Sequence, residues 1–275
     1  MTKREIKDVA ASVRQRLQNR SRETGRPFNE ALQYYAMERF LYRLSRSAYS
    51  EKFVLKGALM LTVWKSPISR PTMDIDLLGR LENDLDKIVG VIKDVCVQDV
   101  ESDGLVFEPN SMKAERITEA AEYEGVRVRF RGHLGNVRVV MQLDIGFGDI
   151  VVPSIARVEY PTMLDMPAPR LLGYSRESTV AEKFEAMAKL GARNSRMKDF
   201  FDIWLLSRQF DFDGNALAEA VKKTFASRGT TVPSHPFAFV DEMKADPTKE
   251  TQWRGFIRKS RIENAPLEFG VVVDA

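Results

Sequence analysis

A single cysteine, Cys96, stands in 275 residues, so the chain can form neither an internal disulfide nor a multi-cysteine zinc site. It lies in the apolar run 89–97, where a thiol packs as a small hydrophobe. Only two histidines occur: His133 in a glycine-flanked turn and His235 in a proline-rich loop, too few for a histidine zinc site. A strong charge of one sign is missing too, because the formal net charge of +3 argues neither for nor against a nucleic-acid partner. No apolar run is long enough to span a bilayer, and the N-terminus lacks the continuous apolar segment of a signal peptide. Together with the lone cysteine, these absences make the cytoplasm the expected compartment, with no membrane partner. No Walker A motif, GxGxxG fingerprint or GxSxG elbow occurs, which removes three common enzyme signatures.

What is present is the composition of a folded protein: 44% hydrophobic residues supply a core and 29% charged residues a solvated surface. The charge is unevenly placed. Lys3, Arg4, Lys7, Arg14, Arg16, Arg20, Arg22 and Arg26 make the start basic, whereas 84–124 is mostly acidic. Ile6, Val9, Ala10, Val13 and Leu17 predict a helix over 6–22, and a second is expected over 29–47 from Leu32, Tyr35, Ala36, Phe40, Leu41 and Leu44. An apolar segment follows at 53–64, a short strand at 73–78 and a helix at 85–97. Alternating β-branched residues predict strands over 126–130 and 137–145, with the turn at 132–135, and a further strand over 156–160. Amphipathic helices are expected over 180–190, 197–209 and 216–224, and a last one over 252–262. Trp253 in that helix reads as a packing residue or, beside Arg254 and Arg258, as one that stacks on a base. Helices, then a mixed sheet, then helices predict an α+β fold, divided at 1–170 and 171–275 into a core and a helical C-terminal lobe.

The chemistry centres on Asp74-Ile75-Asp76. On a strand, residues two apart face the same way, so both carboxylates project from one side while Ile75 points into the core. Alone, the tripeptide also suits an exposed turn. Flanking Leu77 and Leu78 favour a packed strand, and Lys56-Gly57-Ala58 upstream is a place where backbone can approach phosphates. Two close carboxylates repel, and a divalent cation such as Mg²⁺, which joins carboxylates to substrate phosphates, resolves the conflict. Asp144, in the strand-like run 139–145, is either a third metal acid or a strand-end acid capping the turn at 146–148. Lys183 is either solvated or aimed at triphosphate oxygens, and Arg193, Arg196 and Lys198 are suited to phosphates or an RNA backbone. Asp199 and Asp202 begin a helix, where acids ordinarily favour the dipole.

Phe53-Val54-Leu55-Lys56-Gly57-Ala58 followed by Arg70-Pro71-Thr72-Met73-Asp74-Ile75-Asp76-Leu77 resembles the signature of the AbiEii/AbiGii toxin nucleotidyltransferases. Ala181-Glu182-Lys183-Phe184-Glu185-Ala186 and Arg196-Met197-Lys198-Asp199-Phe200-Phe201-Asp202-Ile203 are similar to the two later motifs of that family, and the likeness runs over roughly residues 5–210. The resemblance implies a DNA polymerase β-like nucleotidyltransferase fold and a MenT-like toxin of a bacterial toxin–antitoxin or phage-defence pair, restrained by a cognate antitoxin. It implies transfer of a nucleotide from a nucleoside triphosphate, with Mg²⁺ or Mn²⁺, to the 3′ end of a tRNA; a protein or small-molecule acceptor, or a silent nucleotide-binding module, is the alternative. Carried over by motif, Asp74 and Asp76 bind metal, with Asp144 as the third metal acid. Lys56, Gly57, Ala58, Thr72 and Arg196 border the nucleotide, Lys183 contacts the triphosphate, and Asp199 is a further catalytic acid. Ala58 departs from the family pattern, which has glycine or serine there, so nucleotide affinity or preference is expected to differ.

Overall fold

The apolar spacing at the N-terminus forms two helices, α1 (Val9–Thr24) and α2 (Phe28–Arg46), in a computed structural model that describes residues 8–66, 70–118 and 124–275. The expected helix start at Ile6, together with Lys3, Arg4 and Lys7, lies outside the described residues. Asp8 caps α1, its carboxylate accepting from the Ala11 N–H at 2.9 Å, and Gly25 ends the helix at φ +67°, a conformation glycine adopts without a side-chain clash. The segment expected as one apolar unit over 53–64 divides at Gly57 into strand β1 (Phe53–Lys56) and the short helix α3 (Leu59–Val63).

Then follow β2 (Ile75–Gly79), α4 (Leu85–Cys96), β3 (Leu105–Thr118), β4 (Glu124–Leu134), β5 (Val137–Phe147), β6 (Ala156–Glu159) and β7 (Arg170–Gly173). The sheet order is β3-β4-β5-β2-β1-β7-β6. It is mixed: β2 runs parallel to β5 and β1 parallel to β7, while the other neighbouring pairs are antiparallel. The α+β expectation therefore holds. Strand β3 was not foreseen, because past Phe107 its sequence is charged and lacks an apolar alternation; pairing with β4 supplies what periodicity does not signal. β7, Arg-Leu-Leu-Gly, carries neither a β-branched residue nor an alternation to mark it as a strand.

Helices α5 (Arg176–Leu190), α6 (Met197–Gln209), α7 (Gly214–Ser227), α8 (Asp241–Ala245), α9 (Pro247–Ser260) and α10 (Phe269–Asp274) complete the chain. Two cores result. One lies between the sheet and α1, α2 and α4, where Phe40, Phe107 and Phe130 meet with ring centroids 5.5–5.9 Å apart. The other joins α6, α9 and α10 around Phe201, Trp253 and Phe269. Trp253 is fully buried and its indole N–H donates to the Pro266 carbonyl at 2.9 Å, so it packs, and the base-stacking alternative is excluded. Cys96 is buried, as its apolar surroundings predict. No helix among the described residues is long and apolar enough to cross a membrane.

Candidate active site

Strand register assembles the site as a row. Lys56 on β1 pairs with Asp76 on β2, Asp76 with Asp144 on β5, and Asp144 with Arg127 on β4. Paired residues face the same side of a sheet and neighbouring strands are about 4.8 Å apart, so four charges lie in a line across four strands. Ile75 and Leu77 point the other way into the core, where both are buried. The segment before β2 is braced from beneath by α2. Gln33 Nε2 donates to the Met73 and Val140 carbonyls at 3.3 and 3.0 Å, and the Thr72 N–H donates to the Tyr34 hydroxyl at 3.0 Å. The Thr72 hydroxyl in turn donates to Asp74 Oδ1.

One carboxylate oxygen from each of Asp74, Asp76 and Asp144 lies within 4.8 Å of the others. Burial, and then the neighbouring Asp74 charge, push the Asp76 carboxyl up to about 7. Asp144 accepts from Arg127 Nε and Nη2 at 2.7 and 2.6 Å and from Gln142 Nε2 at 3.3 Å; the last two share Oδ2, so the second lone pair of Oδ1 is the one left to give. Hard oxygen donors at close spacing, with three carboxylates set against the single Arg127 guanidinium on Asp144, are what a divalent cation of the Mg²⁺ class requires, so the residues present fit such an ion.

Gly57, at φ +71°, folds tightly over Asp76: a Cβ placed on it would fall 1.9 Å from Asp76 Oδ2. Beside it Lys56 Nζ bonds Asp149 Oδ2 at 2.6 Å and Glu182 Oε2 at 3.2 Å. Arg228, just past α7, reaches Asp149 at 2.7 Å and Glu185 at 3.0 Å, and the Tyr174 hydroxyl donates to Glu182. Burial works against the Asp149 charge, but Lys56 and Arg228 hold its carboxyl well below the usual range, whereas burial keeps that of Glu182 raised.

A second ionic cluster lies across the cleft. Lys183 Nζ is 3.0 Å from Asp199 Oδ1 and 2.7 Å from Asp202 Oδ2, Arg70 grips Asp202 with two bonds of 2.8 and 2.9 Å, and Arg196 Nε is 2.7 Å from Asp199. Burial would raise the Asp202 carboxyl, but Arg70 and Lys183 hold it at about 2, below the ordinary aspartate value near ~3.9. The stability this gives is therefore present above about pH 4 and is lost as pH falls toward 2. Asp202→Asn is expected to destabilise the protein by about 3–5 kcal/mol at pH 7. In urea unfolding the gap from wild type should close between pH 5 and 2, and a gap constant over that range would contradict the assignment.

Of the residues singled out from sequence, Lys56, Gly57, Asp76, Lys183, Arg196, Lys198 and Asp199 line one cleft, together with Arg70, Tyr174, Glu182 and Arg228. Asp144 faces an adjoining recess with Asp149 and Gly146. Ala58 is buried behind Gly57. Asp199, buried and with its carboxyl held low against burial by Lys183 and Arg196, sits ionised between two cations. Sequence reasoning assigned no role to Arg70, Asp149, Tyr174 or Arg228. Arg70 stands inside a quoted motif and was within reach, whereas Arg228 lies in a stretch that carried no motif.

The chain matches a family described as "Nucleotidyl transferase AbiEii toxin, Type IV TA system" over residues 39–274. The match extends well past residue 210, where the motif-based likeness ends, and begins after the first helix and part of the second. No curated protein matches. Similar solved structures include JHP933 from Helicobacter pylori, with a TM-score of 0.50 and 15% identity, covering 86% of this chain and 87% of that one. They also include an antigenic nucleotidyltransferase-like protein from Paracoccidioides brasiliensis, with a TM-score of 0.35 and 12% identity, covering 82% and 90%. The likeness to JHP933 is one of fold.

Proposed function

This chain belongs to the AbiEii family of nucleotidyltransferase toxins of type IV toxin–antitoxin systems, and from that premise we propose that it transfers a nucleotide from a nucleoside triphosphate to the 3′ end of a tRNA in the cytoplasm. The observation that carries this reading is the placement of three carboxylates beside a cleft lined by Lys56, Arg70, Lys183, Arg196 and Lys198. Family membership implies an antitoxin partner and a nucleoside triphosphate substrate.

Asp74, Asp76 and Asp144 would hold Mg²⁺ or Mn²⁺, which supplies Lewis-acid stabilisation of phosphoryl oxygens. Gly57, having no Cβ, leaves room for the Asp76 carboxylate to sit against the turn after β1. Thr72 orients Asp74 through its hydroxyl, and Asp199 and Asp202 orient Lys183 so that its ammonium faces the triphosphate. Lys183, Arg70 and Arg196 neutralise charge that gathers on the departing pyrophosphate. The acceptor hydroxyl gives up its proton to water as its oxygen attacks the α-phosphorus; a new P–O bond forms, the bond from the α-phosphorus to the oxygen bridging it to the β-phosphorus breaks, and pyrophosphate leaves with that oxygen. The sheet part (1–170) presents the carboxylates together with Lys56 and Arg70, and the helical part (171–275) adds Lys183, Arg196 and Lys198.

The test is to incubate the protein with total tRNA, Mg²⁺ and each labelled nucleoside triphosphate in turn, beside Asp76→Ala. Label on RNA with wild type alone is the expected result. Label on protein, or none with any nucleotide, would overturn the tRNA acceptor.

A further inference from the structure

We propose that the uncovered face of β4 and β5 is the track on which the RNA acceptor lies, its 3′ end delivered to Asp144 and Asp76. The inference rests on the reading that the acceptor is RNA. An in-line displacement puts the attacking and leaving oxygens on opposite sides of the reacting phosphorus. The row Lys56–Asp76–Asp144–Arg127 has the cation-lined cleft at its Lys56 end, so the acceptor must arrive from the Arg127 end.

What stands there is a ladder of cations. Arg127, Arg129 and Arg131 alternate along β4 and so share one face, stepping away from Asp144 by about 6.8 Å each. That spacing suits successive phosphates of an extended strand. Lys113 lies opposite Arg129 on β3, and Arg138 continues the same face on β5. The opposing acids among the described residues of this face, away from Asp144, are Glu115 and Glu108, paired with Arg129 at 2.9 Å and Arg131 at 3.0 Å. These are exposed pairs, weak and readily exchanged for phosphate. Val140 and Val106, 57% and 55% exposed on the same face, offer apolar contact to bases, while α1 and α2 pack on the other side of the sheet. The net charge of the whole chain, +3, does not report this local run of cations, which register alone brings together.

The test compares Arg129→Ala/Arg131→Ala with Arg157→Ala/Arg170→Ala, which removes two exposed arginines near the far edge of the sheet. Binding of 5′-labelled total tRNA is followed over a salt series, with transfer measured in parallel. The β4 variant is expected to bind about tenfold more weakly at low salt, with the slope of log K against log salt shallower by about 1 to 2. Its KM for RNA should rise while its KM for nucleotide stays at the wild-type value; the far-edge variant should match wild type in all of these. Equal binding, slope and transfer in wild type and the β4 variant overturn the track and leave the RNA reading standing. A β4 variant that transfers normally but is no longer silenced by antitoxin also overturns it, assigning the face to a protein partner. If wild type neither binds nor labels RNA, the functional reading fails and the track falls with it.

Discussion

Replacing Asp76 with asparagine is expected to lower nucleotide transfer by on the order of 10³-fold or more, while the metal-free protein remains at least as stable as wild type. Asp76 is the middle carboxylate of the row, adjacent in register to Asp144 on one side and Lys56 on the other. Its charge is costly to keep: burial and the charge of Asp74 raise its carboxyl to about 7. A residue retained for stability would not hold a poorly compensated charge next to a like charge. Asparagine keeps the shape and removes the repulsion, so the melting temperature should stay level or rise as activity disappears. Transfer at the wild-type rate would remove Asp76 from the chemistry, and a large fall in stability would make it a structural residue.

The second large effect is expected from Gly57→Ala. Glycine at φ +71° already excludes a side chain at a cost of roughly 1–2 kcal/mol. At this position the added carbon would also lie 1.9 Å from Asp76 Oδ2 and 2.6 Å from its Cγ, so the carboxylate must move. Displacement of a reacting group by on the order of 1 Å costs about 10²-fold in rate, and transfer should fall by at least that much. Gly25→Ala is the control. Gly25 has φ +67° but nothing within 4 Å of its would-be Cβ, so it bears the backbone cost alone. Gly25→Ala should lose only the backbone cost and keep full activity, whereas Gly57→Ala should lose at least as much stability and its activity as well. Equal activity in both would mean that the turn after β1 does not set the position of Asp76.

The chain's own order of residues determined the elements whose signal is local. Apolar spacing at 3.6 residues placed α1, α2, α4, α5, α6, α7 and α9, while the short α8 and α10 carry too few turns for it, and period-two alternation placed β4 and β5. Asp74 and Asp76 were legible as a pair because a strand puts alternate side chains on one face, a relation three residues long. Lys56, Gly57, Lys183 and Asp199 stood out through motifs rather than through any pattern that fixed their neighbours.

Tertiary structure alone decided which of these residues meet. The parallel pairing of β2 with β5 brings Asp144 beside Asp76 across a long connection, and parallel strands need such a crossover, so no local pattern announces their register. Arg70 and Asp202 are 132 positions apart and Lys56 and Glu182 are 126 apart, yet each pair is bonded. Arg228 enters the site from the end of a helix whose sequence reads only as amphipathic. Strand β3, without an apolar alternation past Phe107, is a strand because β4 offers it hydrogen bonds, and the arginine ladder acquires its direction only from the register of β4 on β5. Local propensity depends on near neighbours in the chain, whereas charge pairing and register depend on distance in space, which only the packed sheet and helices establish.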